Sequence, residues 1–114
     1  MELVPKHIRE ELPKIYATES DLDPLTRVKL FTPWTNWTWW IIEYDGEDVC
    51  FGLVQGFEIE LGYFSLKELE EIRGPLGLKI ERDLHFEPTR LKRLKASLEH
   101  RGHHPQISQS QRER

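Results

Sequence analysis

Four side chains that could do chemistry alternate along residues 81–87: Glu81, Asp83, His85 and Glu87. Because successive residues of a strand point to opposite faces, an extended strand would place all four on one face. Carboxylates and an imidazole that converge in this way can hold Mg²⁺ or Mn²⁺ and activate a water for phosphodiester cleavage. This pattern makes Glu81, Asp83 and His85 candidate catalytic residues of a metal-dependent nuclease acting on single-stranded DNA. Alternating charges are also ordinary on a strand that faces solvent, and that interpretation needs no cofactor.

The second candidate site is aromatic, because all four tryptophans fall within residues 34–40. On a strand, Trp37 and Trp39 would share one face and Trp40 the other. A central strand covered on both faces explains this pattern. The alternative is that Trp34 with Trp37 or Trp39 stays partly exposed and binds single-stranded nucleic acid by stacking, or binds a partner protein as a hot spot.

The third candidate site is a basic, amphipathic stretch formed by Arg90, Lys92, Arg93 and Lys95, interleaved with leucines. Residues 1–87 carry 9 Lys/Arg and 18 Asp/Glu, whereas residues 88–114 carry 7 and 2. A basic helix on an acidic body could contact nucleic acid or an acidic partner, although such charges often only solvate a surface. His100, His103 and His104 nearby lack a carboxylate second shell, so we expect no metal there.

Composition excludes several classes of protein. Cys50 is the only cysteine, which rules out an internal disulfide and a cysteine-based zinc site and suits a reducing compartment. The sequence contains no run of about 18 apolar residues that could span a membrane, and residues 1–16 lack the apolar core of a signal peptide. We therefore expect a cytoplasmic protein with no membrane partner.

The elements that would position these residues predict an α+β domain with a small antiparallel sheet of four to five strands. Asp45-Gly46 indicates a hairpin turn, and Ser65 followed by Glu68 is a capping box. The alternation of residues 57–61 predicts a strand with Phe57, Ile59 and Leu61 facing inward. The full set of predicted elements is a helix at 6–12, strands at 27–31, 37–44, 49–54, 57–61 and 80–87, a helix from Ser65 to Gly74-Pro75, and a Thr89-capped helix ending at Gly102. Residues 1–101 would form the domain and residues 102–114 a flexible polar tail.

Several strings of this sequence resemble those of a bacterial family, domain of unknown function 2958. They are Val28-Lys29-Leu30-Phe31-Thr32-Pro33, Asn36-Trp37-Thr38-Trp39, Glu43-Tyr44-Asp45-Gly46-Glu47-Asp48, Phe51-Gly52-Leu53-Val54, Gly56-Phe57-Glu58, Glu60-Leu61-Gly62-Tyr63-Phe64-Ser65-Leu66, Arg73-Gly74-Pro75-Leu76-Gly77-Leu78 and Glu81-Arg82-Asp83-Leu84. The resemblance covers about residues 3–90 and leaves out the chain after Thr89. It implies an accessory role on plasmids and other mobile elements, and it implies no catalytic residues.

Together these observations favour a small cytoplasmic binding module without catalysis. Its ligand would be a protein or single-stranded nucleic acid, bound through the tryptophans and the basic stretch. The metal-dependent nuclease is one alternative. The other is a structural protein that associates with itself through an exposed sheet edge, and the oligomeric state stays open.

Overall fold

The computed structural model describes residues 2–101 of the chain. The predicted tail at 102–114, with His103 and His104, lies outside the described residues, as does the side chain of His100. Along the chain the elements are α1 (Lys6–Arg9), β1 (Leu25–Thr26), β2 (Val28–Phe31), β3 (Thr38–Tyr44), β4 (Val49–Gln55), β5 (Ile59–Ser65), α2 (Leu66–Glu71), a 3-10 turn (Pro75–Gly77), β6 (Glu81–Arg82), β7 (Thr89–Arg90) and α3 (Leu91–Arg101). Among residues 2–101, no helix is long and apolar enough to cross a lipid bilayer.

The centre of the fold is a five-stranded antiparallel sheet in the order β5-β4-β3-β2-β6, beside a small β1-β7 sheet. The predicted α+β class is therefore confirmed. The hairpin predicted at Asp45-Gly46 joins β3 to β4, and Gly46 adopts a φ of 92°. Asp45 Oδ1 accepts hydrogen bonds from the amides of Glu47, Asp48 and Val49 at 2.8, 2.7 and 3.0 Å. These amides, Asp48 first, lower the pKa of Asp45.

Strand β3 is buried along its whole length, because both faces of the sheet are covered. On one face, here called the α2 face, Trp39, Ile41 and Tyr44 pack with residues of the N-terminal segment and of α2. On the opposite face, here called the α3 face, Trp40 and Ile42 pack with Leu53 of β4. The α3 residues Leu91, Leu94 and Leu98 cover this cluster. The predicted leucine stripe of the C-terminal helix is thus confirmed as a core contact.

The first turn of helix α3 is hydrogen-bonded to residues 23 and 24, which lie far away in the sequence. The Lys92 amide donates to Asp23 Oδ1 at 2.8 Å, and the Leu91 amide donates to the Pro24 carbonyl at 2.9 Å. A carboxylate on the first-turn amides satisfies groups that have no partner inside the helix. The prediction that Thr89 caps this helix is wrong, since its hydroxyl donates to the Glu87 carbonyl at 2.7 Å.

Helix α2 begins as predicted, with Ser65 Oγ accepting from the Glu68 amide at 3.1 Å. Asp48, from the β3-β4 hairpin, adds a second set of bonds. Its Oδ2 accepts from Ser65 Oγ at 2.6 Å and its Oδ1 accepts from the Lys67 amide at 2.7 Å. The helix ends at Glu71, before the predicted stop at Gly74-Pro75.

The prediction of a strand over residues 80–87 is wrong, because only Glu81 and Arg82 pair with β2. Asp83 ends it. Its Oδ1 accepts the His85 amide at 2.9 Å, which turns the chain, and its Oδ2 lies 3.5 Å from Lys29 Nζ. Local side-chain to backbone bonds of this kind compete with a sheet ladder.

Candidate functional site

The tryptophans of the predicted binding site do not share one environment. Trp39 lies in the core, whereas Trp34 and Trp37 each pack against a glycine. Trp39 is only 7% exposed. Trp34 and Trp37 are half-buried, and their rings lie so close to Gly74 and Gly56 that a Cβ on either glycine would come within 2.4 Å of a ring carbon. All three tryptophans belong to the α2 face, whereas the basic helix covers the opposite face. The fold therefore does not bring the predicted aromatic and basic groups into one site.

Three of the predicted residues, Glu81, Asp83 and His85, line an open cleft of about 640 Å³ together with Lys29 and Arg82. Since the strand stops at Arg82, Glu81, Asp83 and His85 do not alternate on one face. The His85 amide and then Lys29 lower the pKa of Asp83. Within residues 2–101, no group of three His, Cys, Asp or Glu side chains is arranged to hold a metal ion. The Mg²⁺ or Mn²⁺ nuclease stays an untested prediction.

The basic residues of the predicted site lie on and just before α3. Arg90, Lys92 and Arg93 are exposed, and the Arg90 guanidinium donates to the Asp23 carbonyl at 3.2 Å. Lys95 is half-buried and lies beside a groove between α3 and β5. Lys95 therefore connects the predicted basic surface with the edge of the sheet.

The two edges of the five-stranded sheet differ strongly. Strand β6 is two residues long and charged, which is how proteins commonly protect an edge from further pairing. Strand β5 is seven residues long, and within the described residues nothing pairs with its outer side. Long, apolar, unprotected edges are the places where another extended chain can add. This contrast makes β5 the more unusual feature of the surface.

The hydrogen bonds at the two ends of β5 determine which of its amides face outward. The Gly56 amide donates to the Glu58 carbonyl, and the Leu66 amide donates to the Asp48 carbonyl, both at 2.9 Å. Hydrogen-bonded pairs alternate along an antiparallel ladder. In the observed register, residues 60, 62 and 64 therefore bond to β4, and the N–H and C=O groups of Ile59, Leu61 and Tyr63 point to the free edge.

The side chains of these same residues form an apolar row on the α3 face. Ile59, Leu61 and Tyr63 are 38%, 40% and 55% exposed, and Phe57 just before the strand is 95% exposed. The prediction that Phe57, Ile59 and Leu61 face the core is wrong. Helix α3 packs on Trp40, Ile42 and Leu53 of the inner strands, so the edge strand is left outside it.

A groove of about 400 Å³ runs beside this row, with Tyr16, Leu22, Phe51 and Lys95 among its walls. Phe51 and Tyr63 hold their ring centroids 4.9 Å apart. The buried Glu43 positions Tyr16 in this wall, because Glu43 Oε1 accepts a hydrogen bond from the Tyr16 amide at 2.9 Å. Desolvation, and then the neighbouring Tyr16, raise the pKa of Tyr63.

On the α2 face, β5 borders a second pocket of about 430 Å³, here called the Gly62 pocket. Trp37, Val54, Gly62 and the carboxylate residues Glu58 and Glu60 line it. Phe57 also lines it, edge-on to Trp37 at a centroid distance of 5.5 Å. A Cβ on Gly62 would meet no atom within 4 Å, so the space above this residue is open.

A sequence model of the family DUF2958, described as a protein of unknown function, matches residues 3–103. The chain belongs to the DUF2958 family. The match runs through the whole of α3, so the expectation that the resemblance stops near residue 90 is wrong. The chain matches no curated protein and no solved structure.

For this DUF2958 chain an exposed sheet edge is one of the alternatives that the sequence offers, but sequence reasoning did not locate that edge at β5. Its signal is present in the alternation of residues 57–61, which predicts a face turned toward the core. Alternation shows that two faces differ and does not show which strand lies at the edge. The glycine at position 62 is an additional clue, because glycine within a strand marks either a bulge or bend or a place where a ligand or another backbone approaches closely.

Proposed function

We propose that this protein is a small non-catalytic binding module that accepts an extended segment of a partner protein alongside β5. The observation that carries the proposal is the seven-residue free edge, whose outward amides belong to the same residues that form the exposed apolar row. In strand addition, main-chain hydrogen bonds supply affinity and pockets for alternate side chains supply specificity. Strand β5 offers free main-chain groups and a pocket on each face: the groove of about 400 Å³ between α3 and β5 on one face, and the Gly62 pocket on the other.

A protein ligand fits this surface better than single-stranded nucleic acid. The exposed carboxylate residues Glu58 and Glu60 lie at the edge strand, where they would repel phosphates. Trp34 and Trp37 each have glycine backbone packed against the ring, which leaves less ring surface for stacking bases. The exposed residues of α3 are then an accessory basic surface.

The family supports a setting for this activity. We propose, from what the DUF2958 resemblance implies, that the chain is a bacterial accessory protein of a plasmid or another mobile element, and from its composition that it works in the cytoplasm. A single buried cysteine, Cys50, agrees with a reducing compartment. Its partner would then be a protein made by the element or by its host.

The test is a displayed library of random seven-residue peptides selected on the wild-type protein and on two variants. Leu61→Pro removes an N–H that points outward and spares every bond to β4, so it should block addition and keep the fold. Leu61→Val keeps that N–H and serves as the matched control. We expect peptides with apolar residues at every second position to be enriched on wild type and Leu61→Val and lost on Leu61→Pro. Equal enrichment on Leu61→Pro, with its thermal unfolding still cooperative, would contradict the proposal.

A further inference from the structure

We infer that the segment accepted by β5 is basic as well as apolar, and that one arginine or lysine of it lies over Gly62. This inference rests on the proposed function, since it describes the partner of the same edge. It follows from the register of β5, from the Gly62 pocket and from the charges around that pocket.

The register decides which side chains of an added strand meet which face. In an antiparallel addition, its residues opposite Ile59, Leu61 and Tyr63 would form hydrogen-bonded pairs and project onto the α3 face. They would extend the apolar row there and should be apolar. The residue opposite Gly62 would be in a non-hydrogen-bonded pair, in which opposing side chains come closest, and it would project onto the α2 face.

The space that this residue would enter is open and suits a long side chain. Nothing lies within 4 Å of the position a Gly62 Cβ would take. The pocket beyond has apolar walls at Trp37 and Val54 and carboxylates at Glu58 and Glu60. Arginine and lysine combine an apolar stem with a charged head, so they match both parts of this lining.

The charges of the pocket are available to a ligand. Among the described residues, neither Glu58 nor Glu60 lies within 4.0 Å of a basic group in an ion pair. The whole chain carries 16 Lys/Arg against 20 Asp/Glu, so its net charge of −4 also favours a cation over an anion.

A second copy of this chain is a poorer occupant of the same edge. The segment 57–65 contains no lysine, arginine or histidine. Self-pairing through β5 therefore cannot place a cation over Gly62 in any register. It would also bring two bodies of like charge together, which opposes association.

The test is calorimetric titration with three capped seven-residue peptides, in which valine alternates with threonine and the central residue is Arg, Gln or Glu. We expect the Arg peptide to bind at least about tenfold more tightly than the Glu peptide, with the Gln peptide between them. In Glu60→Gln the advantage of Arg over Gln should shrink by about threefold or more, whereas Glu11→Gln, an exposed site on the N-terminal segment, should leave it unchanged.

The outcomes separate this inference from the proposed function. If the three peptides bind wild type equally and Leu61→Pro binds none, strand addition stands and the basic partner is overturned. If no peptide binds, or if all bind Leu61→Pro as well as wild type, both are overturned. Sedimentation of the free protein adds a further arm, because a dimer at micromolar concentration that Leu61→Pro abolishes would make a second copy the occupant and overturn the basic partner.

Discussion

Individual glycines in β4 and β5 meet very different surroundings. A Cβ on Gly52 would lie 1.8 Å from the Trp40 carbonyl oxygen, and backbone of the neighbouring strand cannot easily move. A Cβ on Gly62 would meet nothing within 4 Å. Gly52 is therefore required by close packing at the centre of the sheet, whereas Gly62 leaves room at the edge.

This contrast predicts opposite effects of the same substitution. Gly52→Ala should lower the free energy of unfolding by about 3 kcal/mol, because the added methyl forces the strands apart. Gly62→Ala should raise it by about 0.5 kcal/mol, since alanine loses less backbone entropy and meets open space. Urea denaturation of both variants measures the difference, and a Gly62→Ala protein that is destabilised as much as Gly52→Ala would show that the space above Gly62 is filled.

At the scale of elements, Asp48 joins the β3-β4 hairpin to the start of α2. Its carboxylate accepts hydrogen bonds from the Ser65 hydroxyl and from the Lys67 amide. These two bonds lower the pKa of Asp48, and the bond from Ser65 has the larger effect. Since Ser65 is the last residue of β5, the same carboxylate fixes one end of the edge strand.

Asp48→Asn should lower the free energy of unfolding by about 1 kcal/mol at pH 7, because the amide replaces a charged acceptor. A carboxyl with a lowered folded-state pKa stabilises above its ordinary pKa of 3.8, and that stabilisation is lost as pH falls through the lowered value. The difference between wild type and variant should therefore shrink below about pH 4. Urea denaturation at neutral and acid pH tests this, with Glu47→Gln as the exposed control; a difference independent of pH would contradict the role of the charge.

Elements governed by local chemistry were predictable from the sequence, and those governed by strand order were not. Asp45-Gly46 and Ser65 mark the hairpin and the start of α2 through bonds within a few residues. The position of β5 at the edge depends on β3 and β4 pairing between it and β2, which no local pattern encodes. The cap of α3 is equally remote, since Asp23 is 69 residues from Lys92.

Across the whole molecule, the two layers bury the central strand β3 along its whole length and leave the edge strand β5 only partly covered. Helix α3 is held by the segment at Asp23 over the inner part of the sheet, and α2 follows β5 directly on the other face. The candidate site exists because, within residues 2–101, neither helix extends over the outer side of β5. This incomplete coverage depends on the whole fold, so it could not be predicted from any single segment.

Amide hydrogen exchange along β5, followed by NMR in dilute solution, tests the central claim most directly. In the free protein, the amides of Ile59, Leu61 and Tyr63 should exchange at least about tenfold faster than those of Glu60, Gly62 and Phe64, because only the second set bonds to β4. Adding the Arg peptide should selectively slow exchange of the Ile59, Leu61 and Tyr63 amides, because these would bond to the added strand. Equal protection of both sets in the free protein, or no slowing of the outward amides when the peptide binds, would contradict addition of a strand to this edge.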